Sequence, residues 1–319
     1  MKLGVCAQAL YGMPFPDALR MAADLGFEAI ELPVDARNPF VDLDASLGGG
    51  GDDLAAAVAA AGLEISALSN HQEGQLLLGP HGEDTDGVLQ GTPAEKAEYA
   101  ADRLVLSAEL ARRIGVRTVC AFTGCEDYSR WFPWPLADGY ERMADPFRNR
   151  LLPVLDAFAE RGVVLALECH PRQFAYNLET ALLAVELVDG HPALGFNFDP
   201  ANLLLAGMDP VEFVAELGPR IHHAHAKDGQ VVRRNAGRSG LLAHGAWDRP
   251  DRGFRFRVPG WGDLDWRELI TELQVTGFRG VLAVEHEDPT MSQGEGLRQA
   301  LAHLQPLLLR EPPPPSPFW

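Results

Sequence analysis

Eight short apolar runs, each ending in polar residues, recur along the chain. They are LGVCAQ from Leu3, AIELPV from Ala29, EISALSN from Glu64, TVCAFTG from Thr118, VVLALECH from Val163, LGFNFDP from Leu194, IHHAHAKD from Ile221 and VLAVEHED from Val281. Continuous hydrophobicity suits a strand covered on both faces, so the runs predict a parallel sheet under helices. The segments between them are rich in Ala, Leu, Glu and Arg. Several stop at a glycine: Asp17 to Leu25 before Gly26, Asp52 to Ala61 before Gly62, Pro93 to Ile114 before Gly115, Glu141 to Arg161 before Gly162, and Trp266 to Thr276 before Gly277. Glycine just past the last helical residue is the usual left-handed cap, so each reads as helix, glycine, strand. Pro210 opens another helix, and Glu295 to Leu309 makes the last.

Eight β/α units in this length predict an α/β fold of the (β/α)8 TIM barrel type, a single domain over residues 1–310. A doubly wound open sheet would carry a glycine-rich phosphate turn after the first strand, and AQALYGMP has none. Long βα loops follow strands 3, 4 and 7, and loops of that length in a compact domain are usually functional. The first runs from His71 to Thr92, the second contains SRWFPWP, and the third runs from Gly229 to Asp263. Residues 311–319 form a proline-rich tail whose four successive prolines favour an extended polyproline segment.

Composition narrows the function. The chain has 319 residues, 46% of them hydrophobic, enough for a sizeable core, and a net charge of -18. An acidic surface repels phosphate backbones, so no nucleic-acid partner is expected. No apolar run approaches the ~18 residues of a membrane span, and MKLGVCAQAL reads as a first strand and not as a signal peptide, so a cytoplasmic protein with no membrane partner is expected. Cys6, Cys120, Cys125 and Cys169 form no CxxC pair and read as small buried hydrophobes.

In a barrel, every strand's C-terminal end faces one mouth. The third run brings Asn70, His71 and Glu73 there, the fifth Glu168 and His170, and the sixth Asp199 and Asn202. The seventh brings His225, Lys227 and Asp228, and the eighth Glu285, His286 and Glu287. Glu168, Asp199, His225 and Glu285 stand on four successive strands. Three carboxylates and one imidazole suit Mn²⁺, Mg²⁺ or Co²⁺ and leave positions open for a substrate. Structural zinc would want more cysteine. His222 and His223 read as packing or hydrogen-bonding residues. Trp131, Phe132 and Trp134 in SRWFPWP suit stacking on a sugar face or a flat aglycone, or sealing of the barrel. Arg233, Arg234, Arg238, Arg249, Arg252, Arg255 and Arg257 crowd the third long loop and read as a lid or partner surface.

The order E, DPxN, HxKD, E on strands 5 to 8 resembles the xylose isomerase-like barrel superfamily of sugar isomerases, keto-sugar 3-epimerases, inosose dehydratases and type 2 apurinic endonucleases. The resemblance implies one divalent metal, Mn²⁺ first, on Glu168, Asp199, His225 and Glu285. The endonuclease branch needs DNA, which the charge disfavours. Keto-sugar epimerases usually place histidine where this chain has Asn202, and an arginine closer after the seventh-strand histidine than Arg233. The phrases NHQEGQLLLG, ECHPRQFAYN, RFRVPGWGDLDW and EHEDP resemble the catalytic α-subunits of bacterial C-glycoside deglycosidases. That narrower resemblance implies cleavage of 3-oxo C-glycosides: a base removes the proton next to the ketone, and the aglycone leaves by β-elimination. It implies His71, Glu285 or Glu168 as the base, and His170, Arg172, Asn202, Lys227, Trp131 and Trp134 around the substrate. It also implies an oligomer with a small β-subunit. A keto-sugar 3-epimerase or isomerase, and a non-catalytic sugar-binding barrel, are the competing expectations.

Overall fold

The computed structural model describes residues 1–129 and 139–311. Trp131, Phe132 and Trp134, together with tail residues 312–319, lie outside the described residues. Eight parallel strands close into a barrel: β1 (Lys2–Cys6), β2 (Ala29–Pro33), β3 (Glu64–Asn70), β4 (Thr118–Ala121), β5 (Val164–Glu168), β6 (Leu194–Phe198), β7 (Ile221–Ala226) and β10 (Val281–Val284). Each lies in one of the eight apolar runs. β1 pairs with both β2 and β10, which shuts the ring.

The strands are apolar throughout because both faces are covered. Leu and Val on the outer face meet the helices, and small residues fill the lumen. Ala67, Cys120 and Ala166 form one inner group, and Cys6, Ala29, Val281 and Ala283 another. Gly4 lies against this second group, where a Cβ would stand 2.6 Å from Val281 Cγ1. All four cysteines are buried.

Helices cover the ring with one apolar face each. In the Pro93–Arg113 helix, Ala97, Ala100, Leu104, Ala108 and Ala111 are buried at three- and four-residue spacing. Thr92 and Glu95 cap it reciprocally. The glycines expected after helices, Gly26, Gly62, Gly115, Gly162 and Gly277, all have φ between 66° and 103°. The helices that escaped the sequence reading include Leu178–Leu187 and Pro200–Leu205, the second being a short element behind Asp199.

The segment after β7, read as a lid or partner surface, has structure of its own. It folds as an antiparallel pair, β8 (Asp228–Val231) and β9 (Phe254–Arg257), joined through an Arg233–Ser239 helix. Phe254 and Phe256 pack on Ala201 and Leu205, giving the excursion a small core of its own. Four of its arginines act inside it or tie it to the barrel. Arg252 is buried, donates to the Gly245 and Ala246 carbonyls, and lies 3.9 Å from the Trp247 ring centroid. Arg257 reaches Asp288 at 2.7 Å, Arg249 reaches Asp251 at 2.7 Å, and Arg255 donates to the Pro250 carbonyl. Arg233, Arg234 and Arg238 are exposed. A run of arginines in sequence is thus divided by the fold into internal ties and a solvated helix face.

Candidate functional site

Side chains alternate between faces along a strand, so a residue two places past an inward one also points inward. Ala166 leads to Glu168 on β5, and Ala283 leads to Glu285 just past β10. Ala29 leads to Glu31 on β2, Asn197 to Asp199 just past β6, and His223 to His225 on β7 and Lys227 just past it. The lumen is therefore small and apolar in its lower layers and ionic toward its C-terminal mouth. Glu168, Asp199, His225 and Glu285 each offer a ligand atom, all within 4.8 Å of one another.

Asp199 divides its oxygens between two tasks. Oδ1 caps the Pro200–Leu205 helix, accepting from the Ala201 amide at 3.0 Å and the Asn202 amide at 3.2 Å. Oδ2 faces the cluster, 3.7 Å from His225 Nδ1. Glu168 is held from both sides, accepting from Asn197 Nδ2 and Asn202 Nδ2, each at 2.8 Å. His225 Nδ1 lies 3.3 Å from Glu168 and 3.1 Å from Glu285, while its Nε2 lies 2.8 Å from Glu31. Lys227 Nζ sits 2.8 Å from Asp199 and 2.6 Å from Glu285, with the Phe256 ring at 4.8 Å. His71 Nε2 approaches Glu168 at 3.2 Å, its ring edge-on to Phe122.

Burial should discharge these groups, but they charge one another. Burial opposes ionisation of Glu168, yet His225 and His71 outweigh it and hold its carboxyl at about 2. Glu31 is also held at about 2, burial again being overcome by His225 and His223. Burial would likewise neutralise His225, Lys227 and His71. The carboxylates around them prevail and raise all three.

Asp199 Oδ2, His225 Nδ1 and Glu285 Oε2 are buried without an aligned hydrogen bond among the described residues. Three converging atoms of this kind, with Glu168 beside them, fit a divalent cation on a hard oxygen and nitrogen donor set. Two neighbouring groups, Cys6–Glu31–His225 and Glu31–Cys120–His223, meet the same distance test. They suit a cation less well. Burial pushes both thiols far up, and His223 spends its nitrogens on Asn197 at 3.1 Å and Ser66 at 3.2 Å.

Other residues expected at the mouth go elsewhere or to its margin. Asp228 does not pair with Lys227. It accepts from Trp266 Nε1 at 3.0 Å and from the Gly229, Gly260 and Leu264 amides, so it anchors the excursion. Glu73 turns outward to Tyr99, Arg103 and Asn70, because one helical turn follows β3 directly. His286 bonds the Ser292 carbonyl. His222 is exposed, whereas His223 is buried. His170 is half-buried near Phe122, and burial pushes its pKa below the ordinary imidazole range. Arg172 is exposed beyond β5 with φ 74°. Sequence reasoning missed Glu31 and Asn197, whose signal was polar residues at inward positions of AIELP and LGFNF.

The family model for xylose isomerase-like TIM barrels matches residues 19–307. An uncharacterised protein of Bacillus subtilis, YfiH, is 28% identical over 324 residues, covering 96% of this chain and 98% of its own. The 3-dehydroshikimate dehydratase of Bacillus anthracis is 27% identical over 134 residues, 42% of this chain and 44% of its own. Among solved structures, the probable 3-DHS dehydratase AsbF of Bacillus anthracis superposes with a TM-score of 0.67 at 20% identity, over 98% of this chain and all of its own. The match spans most of the barrel, including all four converging side chains, and the chain belongs to the xylose isomerase-like TIM barrel family.

Proposed function

We propose that this protein is a divalent-metal-dependent lyase that removes the proton next to the ketone of an oxidised sugar and expels the group β to that ketone. The substrate class is a 3-oxo C-glycoside, and the leaving group is its aglycone. One observation carries the reading: four ligand atoms converge within 4.8 Å at the barrel mouth, flanked by His71 and Lys227. A divalent ion held there, Mn²⁺ first and Mg²⁺ or Co²⁺ as alternatives, supplies a Lewis acid to the ketone oxygen.

The side chains divide the remaining work. Glu168 has both oxygens tied to asparagine amides, which fits it to hold and not to exchange protons. Glu285 is the more open of the two glutamates, 15% against 4% exposed, and its Oε2 faces Lys227 at 2.6 Å and His225 at 3.1 Å. It takes the C2 proton. The C2–H electron pair becomes the C1–C2 double bond, and the C1–aglycone bond breaks with its pair on the aglycone carbon. His71, whose proton affinity is raised by Glu168 beside it, donates a proton to that carbon. Lys227 places a fixed positive charge beside the developing oxygen anion. Each positioned proton transfer contributes about 10²–10⁴-fold. His170 and Arg172 hold the sugar's outer hydroxyls. A small β-subunit completes an oligomer.

A second reading keeps the same steps with water as the leaving group. The relative named as a 3-dehydroshikimate dehydratase favours it. Incubation with a 3-oxo C-glucoside, an inosose and D-fructose, each with and without Mn²⁺, separates the outcomes. Metal-dependent aglycone release is the expected result. Turnover of the inosose alone moves the second reading ahead, and a new ketohexose points to an epimerase. A protein that binds no metal and converts none of the three is a binding barrel, and the proposal is then wrong.

A further inference from the structure

Glu31 is fully buried in the middle of β2, a strand whose five residues are all buried, and no step above uses it. It stands directly behind His225. We propose that Glu31 is a positioning residue: its carboxylate accepts the Nε2 proton of His225 and so turns the unprotonated Nδ1 toward Glu168, Asp199 and Glu285. The inference rests on the metal-site reading.

Two neighbours compete for Nε2, and their chemistry decides between them. Glu31 Oε2 lies 2.8 Å away and, as a carboxylate, only accepts. Asn197 Nδ2 lies 3.1 Å away and gives one of its two N–H groups to Glu168 at 2.8 Å; its other N–H is a neutral donor at the longer distance, and competes weakly with a carboxylate acceptor at the shorter one. The proton on the imidazole therefore belongs on Nε2. The other neutral tautomer would set a lone pair against a carboxylate and aim an N–H at the cation position. Glu31 is itself held by Cys6 Sγ at 3.5 Å, with His223 Nδ1 3.6 Å away, so its carboxylate is enclosed by three strands. A carboxylate behind a ligating histidine sets tautomer and orientation and raises the basicity of the ligand nitrogen. Without it, a neutral His225 samples both tautomers, and only one of them offers Nδ1.

The test measures Mn²⁺ affinity by calorimetry on the full-length chain, for wild type, Glu31→Gln and Glu31→Ala, with melting of each metal-free protein alongside. Both variants should bind about 10–100-fold more weakly. In the Zn²⁺-loaded wild type, long-range proton–nitrogen spectra should place the His225 proton on Nε2. Folded variants with wild-type Mn²⁺ affinity overturn the proposal, as does a proton on Nδ1. If neither variant folds, the wild-type spectrum alone decides. A wild type that binds no Mn²⁺ fails differently, because it removes the metal reading itself.

Discussion

Asp199 offers a way to separate fold from function, because one carboxyl serves both. Replacing it with asparagine keeps an oxygen for the helix cap at Ala201 and Asn202 but removes the charge facing His225 and Lys227. Replacing it with alanine removes both. The metal-free site holds Glu31, Glu168, Asp199, Glu285 and Glu287 against Lys227, His225 and His71, an excess of negative charge. Removing one carboxylate relieves repulsion as it weakens the Lys227 pair, so metal-free Asp199→Asn should melt close to wild type. Alanine should lose the cap, about 1 kcal/mol. At about 2.1 cal/mol/K per residue, 319 residues give an unfolding entropy near 0.67 kcal/mol/K, so that loss is roughly 1.5 °C. With Mn²⁺ at about 100 times its Kd, the wild type should gain about 2.7 kcal/mol, or roughly 4 °C. A site about 100-fold weaker keeps only about 0.4 kcal/mol, under roughly 1 °C. Thermal melting of the three proteins with Mn²⁺ and with chelator reads all of this. Asp199→Asn retaining the full metal-dependent shift would refute the assignment of Oδ2 to the cation.

Lys227→Met should destabilise the metal-free protein by about 3–5 kcal/mol, because buried Asp199 and Glu285 lose their counter-charge. Mn²⁺ should recover part of that loss, and urea unfolding with equal losses in chelator and in metal would contradict it. In the metal-free site the carboxylates around His225 outweigh burial and raise its pKa well above the ordinary imidazole range, so the ring takes a second proton more readily. An incoming cation must displace that proton, so affinity should rise with pH and calorimetry in two buffers should detect proton release; none released would count against Nδ1 as the ligand. Glu73→Gln should cost about 1.5–3 kcal/mol in urea unfolding by weakening the Arg103 contact at 3.1 Å, while Mn²⁺ affinity stays at the wild-type value. A large loss of affinity would mean that Glu73 supports the mouth after all.

Much of this was legible before any coordinates. Strands buried on both faces leave long apolar runs, and glycine caps mark where helices end. A parallel barrel directs every strand's C-terminal end to one mouth, so Glu168, Asp199, His225 and Glu285 could be grouped by position alone. Asn202 was placed beside the site for a substrate, but its amide in fact holds Glu168. The seven arginines after β7 looked like one surface because sequence records proximity along the chain and not the hairpin that turns four of them to internal contacts.

Hydrophobic period and cap chemistry are local properties, so the layer architecture and the identity of the polar groups at the strand ends follow from short stretches of chain. Only the closed ring decided which of those groups meet. One helical turn after β3 was enough to send Glu73 outward and keep His71 at the mouth. Glu31 and His225 are 194 positions apart and reach 2.8 Å only because β2 and β7 face each other across the lumen. That contact depends on the stagger and closure of eight strands, and no short segment encodes it.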